Sequence, residues 1–436
     1  MKRLIDHQLL EWKANEDRKS MIVRGARQIG KTYAIRQLGK TYKNFVEINF
    51  EDRSDLASIF DLNFLPARII KELSEALSIT IDTKDTLLFF DEIQAAPKII
   101  TALRYFYENM HDLHVIAAGS LLDFAIQQVG MPVGRVTSLY VYPASFIEFL
   151  WAMEHEQLAQ QITEKKPDTP LDEPTHQKLL TLVGQYIAIG GMPEAIMKWK
   201  KTKNLAECAR VHKEIIDSYR HDFNKYAKEH QLKYLNELFD FVPKNLGSRF
   251  KYEKVPGHHR KNDVEPCYHL LETAGIVHTV LNNSAQDIPV GFFTDYDCFK
   301  VIFLDVALSS ALLGLDMGPW FTDPLKQLAN KGGLVEAFIG QELLAYSHNI
   351  MRPSLHYWQK ENREIQAEID YIISKNGEII PIEVKSGPGT TLKSMHTFLE
   401  HHPNSPYGIR LSTQNYSVHE KIHSYPLYAI TSIIKK

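Results

Sequence analysis

The stretch Met21–Thr32, MIVRGARQIGKT, decides how the rest of the chain is read. Three apolar residues, Met21–Val23, run into Gly25-x-x-x-x-Gly30-Lys31-Thr32, and a helix-compatible segment follows from Tyr33 to Tyr42. Strand, glycine-bearing loop and helix in that order are what a phosphate-binding loop requires. Glycines let successive backbone N–H groups turn inward around phosphate oxygens, and the helix that follows offers its positive N-terminal dipole to the same anion. Gly25, Ala26, Arg27, Gln28, Ile29, Gly30, Lys31 and Thr32 are therefore the candidate nucleotide-binding set. Lys31 is expected to reach the β/γ-phosphates. Thr32 would offer its hydroxyl to Mg²⁺, an ion that keeps most of its waters and binds through phosphate oxygens and few protein groups.

The partner of this loop is Thr86–Gln94, TLLFFDEIQ. Four apolar residues, Leu87–Phe90, suit a strand buried on both faces of a parallel sheet, and two acids follow at its C-terminal end, where ligands bind in open α/β sheets. Asp91 is placed to hold Mg²⁺ through water, and Glu92 to orient or deprotonate the water that attacks the γ-phosphate.

At 436 residues the chain carries a soft prior of roughly three domains. Its 44% hydrophobic and 24% charged residues suit a globular protein and argue against a disordered or fibrous one. A net charge of −3 excludes a uniformly basic nucleic-acid coat, though not a local basic patch. Three cysteines, Cys208, Cys267 and Cys298, lack metal-like spacing and read as free thiols of a reducing compartment. MKRLIDHQLLEWKAN mixes charges throughout, as a surface helix does and a signal peptide does not. The most apolar run, Val301–Leu315, is too short and too polar to span a bilayer. A cytoplasmic protein without membrane contact is expected.

Further strands are expected at Asn44–Phe50, His114–Ser120 and Ser138–Pro143, with a helix at Ile99–Asn109. Strands alternating with helices imply a parallel sheet with right-handed crossovers. Ser120, at the tip of the fourth strand, stands where a polar side chain senses the γ-phosphate. Arg135, just before the fifth strand, offers a guanidinium near the active edge, usable in cis or in trans on a neighbouring copy's nucleotide, where such a finger contributes ~10³–10⁵ in rate.

The set GARQIGKT, LLFFDEIQ, AAGS and VYPASFIEFL resembles the AAA-type ATPases of bacteria and archaea that carry a C-terminal domain of uncharacterised function. The resemblance extends to Tyr186-x3-Gly190-Gly191-Met192-Pro193-Glu194, Tyr219-Arg220-His221-Asp222, Phe299–Leu308 and Pro381–Lys385, and so covers nearly the whole chain. It implies a five-stranded sheet with the ATP-site strand between the fourth and fifth strands, a helical middle with a winged helix, and a nuclease-like C-terminal domain. The choice of ATP over GTP rests on this resemblance too.

Glu154–Pro174, dense in charge and with three prolines, reads as an exposed linker. Gly190–Pro193 reads as a tight turn, and Tyr219–Asp222 as part of a packed polar network. Leu232–Leu281 offers helix, basic connection, helix and strand, the order of a winged helix. Its connection carries Lys244, Arg249, Lys251, Lys254, Arg260 and Lys261, enough to neutralise several phosphates, or else to form a solvated face that meets proteins. His258-His259 and His401-His402 lack metal spacing and read as exposed loop.

In the last segment Leu334–Ser347 reads as an amphipathic helix with Glu336 and Glu342, and Leu355–Trp358 as a strand. Glu368–Ile373 and Glu378–Val384 form a hairpin through Asn376-Gly377. Alternation puts Glu383 and Lys385 on one face, and register is expected to bring Asp370 beside them. Asp370 followed by Glu383-Val384-Lys385 resembles the core of the PD-(D/E)xK nucleases, although Ile369 stands where the pattern's name has proline. The resemblance implies Asp370 and Glu383 as Mg²⁺ ligands, Lys385 as the residue that orients the attacking water, and Glu336 as the acid from an earlier helix. A Lewis acid and an activated water are the parts of metal-assisted phosphodiester hydrolysis.

The fold class expected is α/β: a P-loop NTPase parallel sheet, AAA-like, over residues 1–150, a helical lid or linker region over 151–231, a winged-helix-like domain over 232–331 and an α/β nuclease-like domain over 332–436. Mg²⁺ and ATP are the expected cofactors. DNA and a protein stand open as partners, as does a homo-oligomer. Two functions are expected: an ATP-dependent DNA-processing enzyme, or a nucleotide-operated switch with slow turnover and no nuclease activity.

Overall fold

The loop-bearing strand sits inside the sheet. A computed structural model describes residues 1–257, 259–347, 350–361, 366–387 and 392–434. Its first sheet contains β1 (Ser20–Arg24), β2 (Asn44–Asn49), β3 (Thr86–Asp91), β4 (His114–Ala118) and β5 (Val136–Tyr140), in the order β2-β3-β4-β1-β5, all parallel. Side chains of β3 alternate between two cores. Leu87 and Phe89 pack with Met21, Val23 and Ile116 on one side, and Leu88 and Phe90 with Ile22, Ile99 and Phe106 on the other. A strand with both faces buried has no polar side to give away, which is why its sequence is a continuous apolar run until it reaches the sheet's C-terminal edge.

The middle of the chain is helical. Glu156–Glu164 is a helix with Ala159 and Ile162 buried, not the exposed linker expected there; its apolar spacing outweighs the charge around it, and the prolines fall only after it ends. Helices Glu173–Ile189 and Pro193–Thr202 are bent by 116° at the Gly190–Met192 break. Among the described residues no single helix is long and apolar enough to cross a membrane, and that bent pair passes by length and composition only. Helices Leu232–Phe241 and Lys261–Thr273 follow, then β6 (Val277–Asn283) and β7 (Thr294–Phe303), paired antiparallel. The basic residues Lys244, Arg249, Lys251, Lys254, Arg260 and Lys261 are all exposed. His259, by contrast, is largely buried against Glu237 and Tyr234, and His258 lies outside the described residues.

A second, mixed sheet contains β8 (Leu355–Glu361), β9 (Gln366–Lys375), β10 (Glu378–Lys385), β11 (Gly408–Ser412), β12 (Ser417–His419) and β13 (Ile422–Pro426), and it continues into β6 and β7. The order is β12-β13-β11-β10-β9-β8-β6-β7. β6 pairs in parallel with β8, so β6 and β7, which precede residue 331, belong to the same sheet as β8–β13, which follow it. Asn376 and Gly377 both have positive φ, as a two-residue hairpin between β9 and β10 demands. Helix Gly332–Tyr346 is buried nearly all round rather than amphipathic, because it packs against β7, β8 and β10 of the second sheet and against helices Val306–Leu312, Pro324–Asn330 and Ile430–Ile434.

Candidate nucleotide site and acidic cluster

β1 delivers the loop to the C-terminal edge of the first sheet, and helix Lys31–Gly39 leaves from it. Gly25, at φ 136°, is forced to be glycine: a Cβ there would lie 2.3 Å from the Val141 carbonyl oxygen. The Lys31 side chain folds along the loop and donates to the Gly25 and Ala26 carbonyls at 2.9 and 2.7 Å. Burial lowers its pKa to about 8, against the pull of Glu92 and Asp91. Thr32 Oγ1 donates to Asp91 Oδ2 at 2.9 Å, which joins the two sequence motifs directly. Burial raises Asp91 to about 6, although the Thr32 hydrogen bond works in the opposite direction.

Glu92 follows in the left-handed region, at φ 51°. Its carboxylate accepts from Gln94 Nε2 at 2.6 Å and from Ser120 Oγ at 3.5 Å. Ser120 therefore stands on Glu92 from the tip of β4. A side chain so held is aimed by its neighbours, not free to sample solvent.

Three groups from distant parts of the chain grip the loop. Arg3, buried ahead of the N-terminal helix, donates to the Ile29 and Tyr142 carbonyls at 2.8 Å each and pairs with Glu148 at 2.7 Å. From helix Leu205–Tyr226, Asp222 pairs with Arg27 at 2.6 Å and the Tyr219 hydroxyl donates to the Arg27 carbonyl at 2.7 Å. Gly275 closes from the third side at φ 72°, where a Cβ would come within 3.5 Å of the Ala26 nitrogen. Asp305 adds a support behind this: it accepts from the Gly191 N–H at 2.6 Å and caps helix Val306–Leu312. Of these, Tyr219, Asp222 and Gly191 lie in motifs visible in the sequence and Gly275 reads there as a helix end, whereas Arg3 carries no sequence signal.

A cleft over Gly25 and Ala26 is lined by Ser120, Tyr142, His278 and Arg352. His278 Nε2 is buried without a hydrogen-bond partner among the described residues, and burial, helped by the Arg352 charge, pushes the imidazole down to about 3. His278 is thus neutral at physiological pH. Neither it nor Arg352 was singled out by sequence reasoning, because single residues in unremarkable segments announce nothing.

Arg135 is elsewhere. It precedes β5 at the N-terminal edge of the sheet, since Val136 is in register with Ser20 and Tyr140 with Arg24. A strand of that length separates it from the loop edge by about 16 Å at ~3.3 Å per residue. It pairs with Glu108 at 2.7 Å and is 49% exposed. The expected placement near the active edge, and with it action in cis, is corrected: the residue before a parallel strand lies at the opposite edge from the residue after it.

In the second sheet Asp370 and Glu383 are brought together on adjacent strands, β9 and β10. The Val384 N–H donates to Asp370 Oδ2 at 2.7 Å, and Lys385 pairs with Glu383 at 2.5 Å. Glu336 also joins, but through a lysine that sequence reasoning missed. Lys300 Nζ, on β7, lies 2.8 Å from Glu336, 2.5 Å from Glu368 and 3.8 Å from Asp370. Burial alone would lower Lys300, but the three carboxylates outweigh it and raise the ammonium's pKa. Burial, then the Asp370 charge, lifts Glu336 to about 7. Burial likewise raises Asp370 and Glu383, opposed by Lys300 and Lys385 respectively. Among the described residues no three His, Cys, Asp or Glu side chains are grouped to hold a metal ion.

Residues 17–150 match the family model described as AAA domain, residues 180–318 match a domain of unknown function, DUF8612, and residues 331–430 match another, DUF4143. Among solved structures the chain is similar to the Walker-type ATPase PABY2304 of Pyrococcus abyssi, with 12% identity and a TM-score of 0.44, over 72% of this chain and 95% of that one. It is also similar to PCH-2 of C. elegans, with 11% identity and a TM-score of 0.25, over 47% of this chain and 64% of that one. A third likeness is to the STAND protein with a tetratricopeptide repeat sensor, PH0952, from Pyrococcus horikoshii, with 13% identity and a TM-score of 0.27, over 78% of this chain and 47% of that one. No curated protein matches the chain. The domain match and the parallel five-stranded sheet agree that the N-terminal domain is a P-loop ATPase domain.

Proposed function

We propose that the chain is an Mg²⁺-dependent ATP hydrolase whose nucleotide state is passed through the middle segment to the C-terminal domain, where it governs engagement of DNA. The observation that carries the hydrolase reading is the contact of Thr32 with Asp91, with Glu92 held beside them by Gln94 and Ser120. The donor set fits Mg²⁺: a hydroxyl and a carboxylate are hard oxygen ligands, few in number, that leave room for phosphate oxygens and waters. Bound there, the ion would neutralise charge developing on the phosphates. Lys31 and the N–H groups at the start of helix Lys31–Gly39 hold the phosphates, and Glu92 takes or orients the proton of the attacking water. Arg135 serves only a neighbouring copy's nucleotide in this reading, from its exposed position. Three buried free cysteines suit a cytoplasmic setting.

Coupling is supported by continuity. Gly275 lies beside the loop, near enough that an added Cβ would stand 3.5 Å from the Ala26 nitrogen, β6 begins two residues later, and β6 is a strand of the second sheet. In this reading a change of loop shape on nucleotide binding is passed to the neighbouring element that leads into the C-terminal domain. The exposed basic residues between 244 and 261, in a winged-helix arrangement, are the proposed DNA contact.

A second reading keeps the ATP switch and drops the cutting. What favours it is Lys300, an ammonium set among Glu336, Glu368 and Asp370. Turnover of ATP with and without Mg²⁺, and with and without single- and double-stranded DNA, separates the readings when DNA integrity is followed in the same reactions. DNA-stimulated turnover with cutting lost in Lys385→Ala supports processing. Turnover indifferent to DNA, with DNA intact, supports the switch, and no Mg²⁺-dependent turnover at all refutes the hydrolase.

A further inference from the structure

A lysine on one strand has crossed a sheet to reach carboxylates on another. Lys300 belongs to β7, and Glu368 and Asp370 to β9, with β6 and β8 between them. The side chain is 2% exposed and its Nζ passes 5.2 Å from the centre of the Tyr357 ring on β8. At the far end it meets three carboxylates, two of them at 2.8 and 2.5 Å and the third at 3.8 Å. The ammonium donates a hydrogen bond to Glu336 and is ion-paired with Glu368, while Asp370, at 3.8 Å, acts on it through charge alone. Fixing a long flexible side chain in one extended path and stripping it of water is costly, and only close, multiple carboxylate partners offset it.

A divalent ion needs the same oxygens. Mg²⁺ takes carboxylate oxygens at about 2.0–2.1 Å in near-octahedral geometry. Of the carboxylates that the nuclease pattern would assign to such an ion, Glu336 is hydrogen-bonded to Lys300, Asp370 lies 3.8 Å from it and holds the Val384 N–H, and Glu383 puts one oxygen on Lys385 while its Oε2 is buried with no hydrogen-bond partner among the described residues. An ion placed among them would sit against a buried ammonium of like sign. With Lys300 charged, the carboxylates that face it do not fit a metal.

We propose that Lys300 is a tethered counter-cation standing where a nuclease-type site holds its divalent metal, so that the acidic cluster of the second sheet stays metal-free until Lys300 is removed. This rests on the nuclease-like reading of Asp370 and Glu383-Val384-Lys385, and it assigns that domain to binding rather than cutting.

The test is Mn²⁺ binding to the full chain, counted by electron paramagnetic resonance without nucleotide. It compares the unaltered protein, Lys300→Met, Lys300→Gln, Lys300→Arg, Asp370→Asn and the double variant Lys300→Met with Asp370→Asn. Thermal melting of each variant shows which are folded. The unaltered protein and Lys300→Arg are expected to bind no Mn²⁺ that Asp370→Asn removes. Lys300→Met, or Lys300→Gln where Met does not fold, should gain a site at least about tenfold tighter, lost again in the double variant. An Asp370-dependent Mn²⁺ site in the unaltered protein overturns the proposal, whatever the variants do, and so does a folded Lys300→Met or Lys300→Gln protein that gains no site. ATP turnover is measured on the same unaltered preparation: its absence would count against the hydrolase and leave the Mn²⁺ count standing.

Discussion

The Asp222 carboxylate holds the Arg27 guanidinium at 2.6 Å, and the pair joins residues 195 apart in sequence, one in the phosphate-binding loop and one on helix Leu205–Tyr226. Asp222 is 5% exposed and Arg27 31%, so the pair is partly shielded from water. Lys225 reaches the same carboxylate at 3.3 Å and Glu51 at 3.4 Å, which ties the helix to the chain after β2 as well. The loop's third residue is thus set by the helical region and not by the sheet alone.

Replacing Asp222 with Ala therefore frees Arg27 to swing across the loop that must receive phosphate. Losing a hydrogen bond to a charged group costs roughly 1.5–3 kcal/mol, so ATP affinity should fall by about tenfold or more. Tyr219→Phe, which removes only the hydroxyl on the Arg27 carbonyl, should fall less. Titration with a fluorescent ATP analogue reads both. Affinity unchanged in Asp222→Ala would mean that the loop holds its shape without the helix.

The loop also carries a pH signature. Lys31 must be charged to hold phosphate, and burial lowers it to about 8 in the nucleotide-free protein. Asp91 must be ionised to hold Mg²⁺, and burial raises it to about 6. kcat/KM follows the free enzyme, so it should fall as pH drops through about 6 and fall again as pH rises through about 8. The alkaline limb is the diagnostic one, since the phosphates of ATP do not titrate there. A flat profile from pH 7 to 9.5 would exclude Lys31 as the group responsible.

Much of the first sheet could be read in advance because its strands are continuous apolar runs and its ligand loop is a backbone device that leaves a spacing of glycines. Thr32 meeting Asp91 follows from two strands side by side, and strand ends are easy to place. Arg135 was misplaced for the same topological reason, since which edge a residue occupies depends on strand direction and not on closeness to a motif. Lys300 was invisible: one lysine in Phe299–Leu304 reads as a strand residue, and its partners Glu336, Glu368 and Asp370 are joined to it only by the packing of three elements. Arg3, His278 and Arg352 share that obscurity. Helix Gly332–Tyr346 misled in another way, because it was read as amphipathic and is instead buried nearly all round, with Glu342 a buried polar junction.

Glu92→Gln keeps the size and the Gln94 contact of the native side chain but cannot accept a proton. General-base loss costs typically 10²–10⁴-fold, so kcat should fall by about that factor while ATP affinity stays within roughly twofold. Ser120→Ala, which takes away only a 3.5 Å contact to the carboxylate, should lower kcat by less. Equal losses of affinity and kcat in Glu92→Gln would point to a binding role.

Glu342 gives a prediction on stability rather than turnover. It accepts from the Phe146 N–H at 2.9 Å, inside the junction between helix Gly332–Tyr346 and the segment that leaves β5. Burial raises its pKa from 4.5 to about 8, with the Tyr346 hydroxyl pulling the other way. The folded chain then keeps a proton that the unfolded chain releases near pH 4.5. The contribution is full below that pH and is lost as pH rises through about 8, at up to roughly 1.4 kcal/mol per pH unit. Glu342→Gln keeps an acceptor for Phe146 and has no proton to lose. Urea unfolding at pH 5, 6.5 and 8 should show the variant gaining on the native protein as pH rises, because only the native side chain must either hold its proton against solvent or ionise in a buried site. Other titrating groups, Glu336 among them, are common to both proteins and cancel in the difference. A difference that does not change with pH would mean that Glu342 ionises freely and that its burial is without electrostatic consequence.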